Sequence, residues 1–139
     1  MVNQALLKTK IAHINKSVER LSQKANVSLK EFKSDADLQD VIIHNLQLAI
    51  QGAIDIASHI ISDEGWGVPN TLVGLFDILK EHKVLDEKIT DVMRRMVGFR
   101  NIIVHEYDEV DLDKVHQILT SRLDDFNGFL KQIITFAKL

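Results

Sequence analysis

LQDVIIHNLQLAIQGAIDIASHI, residues 38–60, is the stretch on which the fold turns. Its apolar residues Leu38, Val41, Ile42, Leu46, Ala49, Ala53, Ile56, Ala57 and Ile60 recur at three- and four-residue steps. That is the period of a helical face, not the alternation of a strand. Ser34 or Asp35 supplies its start. Gly52 falls inside, at a propensity cost of about 1 kcal/mol relative to Ala, which points to close approach by a neighbouring element. The pattern continues outward in both directions. Leu7, Ile11, Ile14, Val18 and Leu21 mark a helix over residues 3–25, and Ser28-Leu29-Lys30-Glu31 reads as a capping box for a short helical turn. Gly65-Trp66-Gly67-Val68-Pro69 is the one strong break. Pro69 suits the start of a shorter helix over 70–82, with Leu72, Val73, Leu75, Phe76 and Leu79 inward. Asp86 caps the next helix, with Ile89, Val92, Met93, Met96, Ile103 and Val104 inward. Asp111 caps a last one through Leu112, Val115, Leu119, Leu123, Phe126, Leu130, Ile133 and Ala137.

Four long amphipathic helices with short connections predict an all-α, antiparallel four-helix bundle with an additional short helix. At 139 residues the chain is read as one domain, 1–139. With 45% hydrophobic residues, one Pro and six Gly, it is neither disordered nor a linker. The absence of Cys removes disulfides, thiolate zinc sites and thiol nucleophiles, and fits a reducing, cytoplasmic setting. No signal peptide or membrane-spanning stretch is expected, because apolar runs such as Ile60–Ile61 and Ile102–Val104 are short. The net charge of −3 provides no global field for nucleic acid. Any such ligand must be held by a local basic patch.

Chemistry concentrates in one segment, where Arg100, Asn101, His105 and Tyr107 lie near a helix end. At about 100° per residue, Asn101 and His105 share one helix face while Arg100 and Tyr107 share the adjoining one. Their convergence requires either a distorted helix end or a second copy of the helix across a two-fold axis, hence a homodimer. These residue types suit metal-independent cleavage of an RNA phosphodiester, with no cofactor. His105 can serve as base on the 2′-hydroxyl or as acid on the leaving oxygen. Arg100 offers a planar fork of donors to the phosphate, and Asn101 can orient the imidazole or the phosphate. Five Arg and six His make a chance Arg-x4-His spacing an event in about one chain in five. The spacing alone is therefore weak, and both residues could simply complement a helix C-terminus. Glu106, Asp108, Glu109 and Asp111 follow closely, and they would repel phosphate unless turned away.

The whole segment Arg100-Asn101-Ile-Ile-Val-His105-Glu-Tyr107 resembles the R-N-x-x-x-H-x-Y signature of HEPN-domain toxins, in the HepT-like branch paired with minimal nucleotidyltransferase (MNT) antitoxins. Leu46 to Ile61 is similar to that family's second helix, and Met96-Val-Gly-Phe to the lead-in of its motif. The resemblance spans nearly the whole chain. It implies a HEPN-like dimeric helical bundle, a metal-independent ribonuclease toxin with Arg100 and His105 catalytic and Asn101 in support, and an MNT-fold partner. It further implies neutralisation by transfer of AMP from ATP to Tyr107.

Two rival readings are a helical module that docks a nucleotidyltransferase without cleaving RNA, and a structural dimer whose motif seals the interface. Asp55, among apolar neighbours, is expected to be buried against Arg100 or another cation and to hold that cation in place. His44 and His59, fifteen residues apart, are too distant for one metal site on their own. His13, His82 and His116 read as surface or core-edge residues, and Trp66 as packing over a bundle end.

Overall fold

A computed structural model of the chain describes residues 1–105 and 110–139, with only the backbone of residues 104 and 105. Seven helices are present among the described residues, and no strand: α1 (Gln4–Ser22), α2 (Leu29–Lys33), α3 (Ala36–Glu64), α4 (Leu72–Glu81), α5 (Glu87–His105), α6 (Leu112–Ser121) and α7 (Asp124–Ala137). None is long and apolar enough to cross a membrane.

Local chemistry sets most helix starts. Side-chain oxygens of Asn3, Ser28, Asp35, Thr71, Asp86 and Asp111 accept backbone N–H groups from the first turns of α1 to α6. Each satisfies a donor that has no partner within its helix. Thr71, rather than Pro69, sets the start of α4. Asp86 also accepts from the Gln132 side chain at 2.8 Å, tying the start of α5 to α7. The Ile89 N–H, the Gln132 amide and nearby Lys88 together hold its carboxyl below the ordinary value. Gly65 ends α3 in the left-handed region (φ 68°), which lets the Trp66 N–H reach back to the Ile61 carbonyl at 3.0 Å.

The predicted last helix is two. Arg122 (φ −123°, ψ 2°) leaves helical geometry, and α7 begins afresh with Asp124 and Asp125 in its first turn. No Pro or Gly marks this break. The inward residues Leu119 and Phe126 are seven apart, so the apolar stripe fits one helix or two. Acidic residues at the new N-terminus favour the break.

The core draws on every helix, with Leu7, Ile14, Phe32, Leu46, Ile56, Phe76, Met93, Val115 and Phe129 all buried. Paired positions give the directions. Asn3 meets Asp63, Lys10 meets Asp55 and Gly52 meets Ile14, so α1 and α3 run antiparallel. Asp86 meets Gln132 and Ile89 meets Gly128, so α5 and α7 do the same. Val41, predicted inward, is instead exposed.

Gly52 confirms the expected close approach. A Cβ there would lie 2.6 Å from Cγ1 of Ile14, a fully buried β-branched residue with little freedom to turn aside. Gly52→Ala should therefore destabilise the protein by about 1–3 kcal/mol despite the better helix propensity of Ala. Denaturant unfolding checks this, and a stability gain would mean that α1 moves away freely.

Candidate active site

Among the described residues, Arg100, half-buried on α5, is held by two hydrogen bonds. Its Nη2 donates to Gln51 Oε1 on α3 at 3.1 Å, and its Nη1 to Asn101 Oδ1 at 3.2 Å. The chain of contacts continues across two more helices' side chains. Gln51 Nε2 donates to Asp55 Oδ1 at 2.9 Å, and Lys10 Nζ on α1 lies 3.4 Å from Asp55 Oδ2. The order is ammonium, carboxylate, amide, guanidinium, amide.

The chemistry of each end fixes the direction of the Gln51 amide. Its oxygen must face the guanidinium, which only donates, and its NH₂ the carboxylate, which only accepts. The reverse orientation would oppose like groups at both ends. Two of the five guanidinium N–H groups are engaged in this way, which sets the plane of the fork. The Lys10–Asp55 pair is about one-third exposed on each side. It therefore contributes little to stability, and its value lies in orientation.

Asp55 differs from expectation in one respect: it is only partly buried. The cation it meets directly is Lys10, and it reaches Arg100 through Gln51. The physical reason is reach: Asp55 stands one turn beyond Gln51 on the same face of α3, and the longer glutamine spans the interval. Gln51 and Lys10 escape a reading based on motifs, since an uncharged amide in an apolar helix matches none. The available signal was the i, i+4 spacing of Gln51 and Asp55 on the outward face.

The α5 helix continues without a break through His105. Arg100 and His105 are therefore separated by about 140° around the axis and about 7.5 Å along it. Tyr107 lies outside the described residues, as do Glu106, Asp108 and Glu109. Leu48, on the Gln51 face of α3, and Ile102, two residues past Arg100, are exposed apolar groups at 43% each.

His116 and His82 are elsewhere. His116 Nε2 sits 2.7 Å from the Val27 carbonyl with its ring against Phe32, while His82 stacks on Trp66 at 3.9 Å. Trp66 covers the bundle end as expected, with the Phe136 ring tilted against it at 6.0 Å. Among the described residues, no group of three or more His, Asp or Glu is placed to hold a metal ion.

A helical bundle presenting a braced arginine on the helix that carries the Arg-x4-His segment has clear relatives. The family described as "Ribonuclease HepT-like" matches residues 14–133, and the chain belongs to it. The chain is 36% identical over 124 residues to the mRNA nuclease HepT of Shewanella oneidensis, covering 89% of this chain and 92% of that one. It is 27% identical over 135 residues to the tRNA nuclease HepT of Aphanizomenon flos-aquae, covering 97% and 92%. Its structure resembles that of the tri-AMPylated Shewanella oneidensis HEPN toxin in complex with an MNT antitoxin. The TM-score is 0.87 and the identity 34%, over 96% of this chain and 99% of that one.

Replacing Gln51 with Leu, which keeps volume but removes both hydrogen bonds, should release the guanidinium. Ribonuclease turnover is expected to fall about tenfold to hundredfold, as for other small misplacements of a reacting group, with folding stability little changed. Unaltered turnover would show that Arg100 is positioned without α3.

Proposed function

We propose that the chain is the toxin of a HEPN/MNT toxin–antitoxin pair: a metal-independent RNA endonuclease, acting in the cytoplasm as a homodimer, with an Arg-x4-His site at the dimer cleft. The observation that carries this reading is the braced Arg100 fork, joined to Asn101 and Gln51 on the segment that also bears His105. In the reaction the 2′-hydroxyl oxygen attacks phosphorus and the bond to the leaving 5′-oxygen breaks, giving a 2′,3′-cyclic phosphate and a 5′-hydroxyl. His105 takes the proton from the 2′-oxygen. A second imidazole, in its protonated form, gives one to the 5′-oxygen. Arg100 meets the charge growing on the phosphoryl oxygens, and Asn101 orients a reacting group.

A homodimer supplies what one helix lacks. Because α5 is regular through His105, one copy spreads Arg100 and His105 around the helix axis, whereas two copies facing each other bring both pairs to one cleft. Exposed Ile102, about 60° around α5 from His105, offers apolar surface for that contact.

The partner in this reading is an MNT-fold nucleotidyltransferase. It neutralises the toxin by complex formation, by modification, or by both. In modification, the Tyr107 hydroxyl oxygen attacks the α-phosphorus of ATP, pyrophosphate leaves and the phenolic proton is lost. The attached AMP places negative charge close to Arg100, where RNA phosphate would bind. Tri-AMPylation of the related toxin supports this part of the proposal. The rival reading, a docking module without cleavage, draws on the same complex.

RNA cleavage by the purified protein should drop at least a hundredfold in both His105→Ala and Arg100→Ala, with folding intact. Cleavage at the wild-type level in both variants would remove the proposed site, and no cleavage by wild type would favour the docking module. Incubation with the nucleotidyltransferase and ATP should add AMP to wild type and not to Tyr107→Phe, as read by intact mass. Modification of that variant at the wild-type level would assign the AMP to another residue.

A further inference from the structure

Between α1 and α3 lies a groove of about 310 Å³, lined on the α1 side by Lys10, His13, Lys16 and Arg20 and on the α3 side by Leu48, Gln51, Gly52 and Asp55. The four basic side chains are not scattered. At positions 10, 13, 16 and 20 they fall within about 120° of the α1 circumference and extend about 15 Å along it. The helix as a whole carries four Lys or Arg against Glu19 alone, a net +3 in a chain of net −3. Glu19 lies about 180° around the helix from Lys10 but only about 60° from Lys16. Among the described residues, Lys16 and Arg20 form no ion pair, and the one carboxylate in the groove, Asp55, is already answered by Lys10 and Gln51.

A row of unneutralised like charges along one helix face costs stability through mutual repulsion, so its placement points to a polyanion. The groove also has a direction. At its Gln51 wall it meets the residue that holds the Arg100 guanidinium at 3.1 Å. An extended chain of phosphates lying on Lys16 and Arg20 would be led past His13 towards that fork. Leu48, exposed in the groove, offers apolar surface to an unstacked base of any identity.

We propose that this groove is the track along which single-stranded RNA is held for cleavage, gripping backbone phosphates without regard to sequence. The proposal rests on the ribonuclease reading above and adds a binding surface to it. Lys16 and Arg20 lie outside the catalytic set, so their loss should weaken RNA binding and leave the chemical step alone.

The test uses full-length protein and a fluorescent single-stranded RNA oligonucleotide, with His105→Ala as the background so that binding is measured without cleavage. Adding Lys16→Ala and Arg20→Ala to that background should raise Kd at least tenfold. The slope of log K against log salt should fall by about 1.4, two phosphate contacts at about 0.7 each for a single strand. Lys16→Arg with Arg20→Lys should restore both. In the active protein the same two alanines should raise KM with kcat unchanged. Unchanged Kd and salt slope, with wild type still cleaving RNA, would overturn the groove and leave the ribonuclease reading intact. A groove-dependent Kd in a wild-type protein that cleaves nothing would overturn the ribonuclease reading and retain the groove. Binding of an acidic protein but not RNA at these residues would overturn the proposal in favour of a protein interface.

Discussion

The closeness of α1 to α3 at Gly52 governs much of what the molecule can do. With no Cβ at that position, Ile14 packs directly on the backbone of α3, and the two helices approach more closely than side chains would otherwise allow. One turn further along, the same approach brings the Lys10 ammonium within 3.4 Å of Asp55. Asp55 then faces the nitrogen of the Gln51 amide, and Gln51 offers its oxygen to Arg100. A packing detail in the core thus sets the plane of a guanidinium on a third helix. Such a link works because closely packed interiors transmit displacement instead of absorbing it.

The charge distribution follows the same geometry. A net charge of −3 argues against a nucleic-acid ligand only if charge is spread evenly, and it is not. The cations of α1 line one wall of the groove, while Asp86, Asp111 and the acidic first turn of α7 are spent on helix starts. Carboxylates at N-termini meet unpaired backbone N–H groups and the positive end of the helix dipole, so they serve folding. Lys16 and Arg20 have no comparable structural task and remain available to a ligand, whereas Lys10 is paired with Asp55.

Most of the fold was legible in the sequence because its signals are local. Ser28, Asp35, Asp86 and Asp111 announce helix starts within one turn, and the period of Leu7 to Leu21 or Leu46 to Ile60 needs no knowledge of the neighbour. Where tertiary packing decides, the reading was less complete. The α6–α7 break carries no Gly or Pro, and Val41 belongs to the apolar period yet finds nothing to cover it. The candidate site divides in the same way. Arg100 and Asn101 could be singled out from residue types and motif, and their hydrogen bond is local. Gln51 could not, since its part depends on which side chains two other helices bring to it. Asp55 was rightly linked to a cation, but its directness to Arg100 depended on a few ångströms that no periodicity contains.

At the opposite extreme of the bundle, the flat stack of Trp66 on His82 joins the end of α3 to the end of α4, with Phe136 of α7 alongside. Trp66 is the chain's single tryptophan, so all indole fluorescence originates at this joint. Its emission reports whether three helices remain docked. The fold therefore contains its own optical gauge of assembly, one that shares no residue with the groove or with the arginine network.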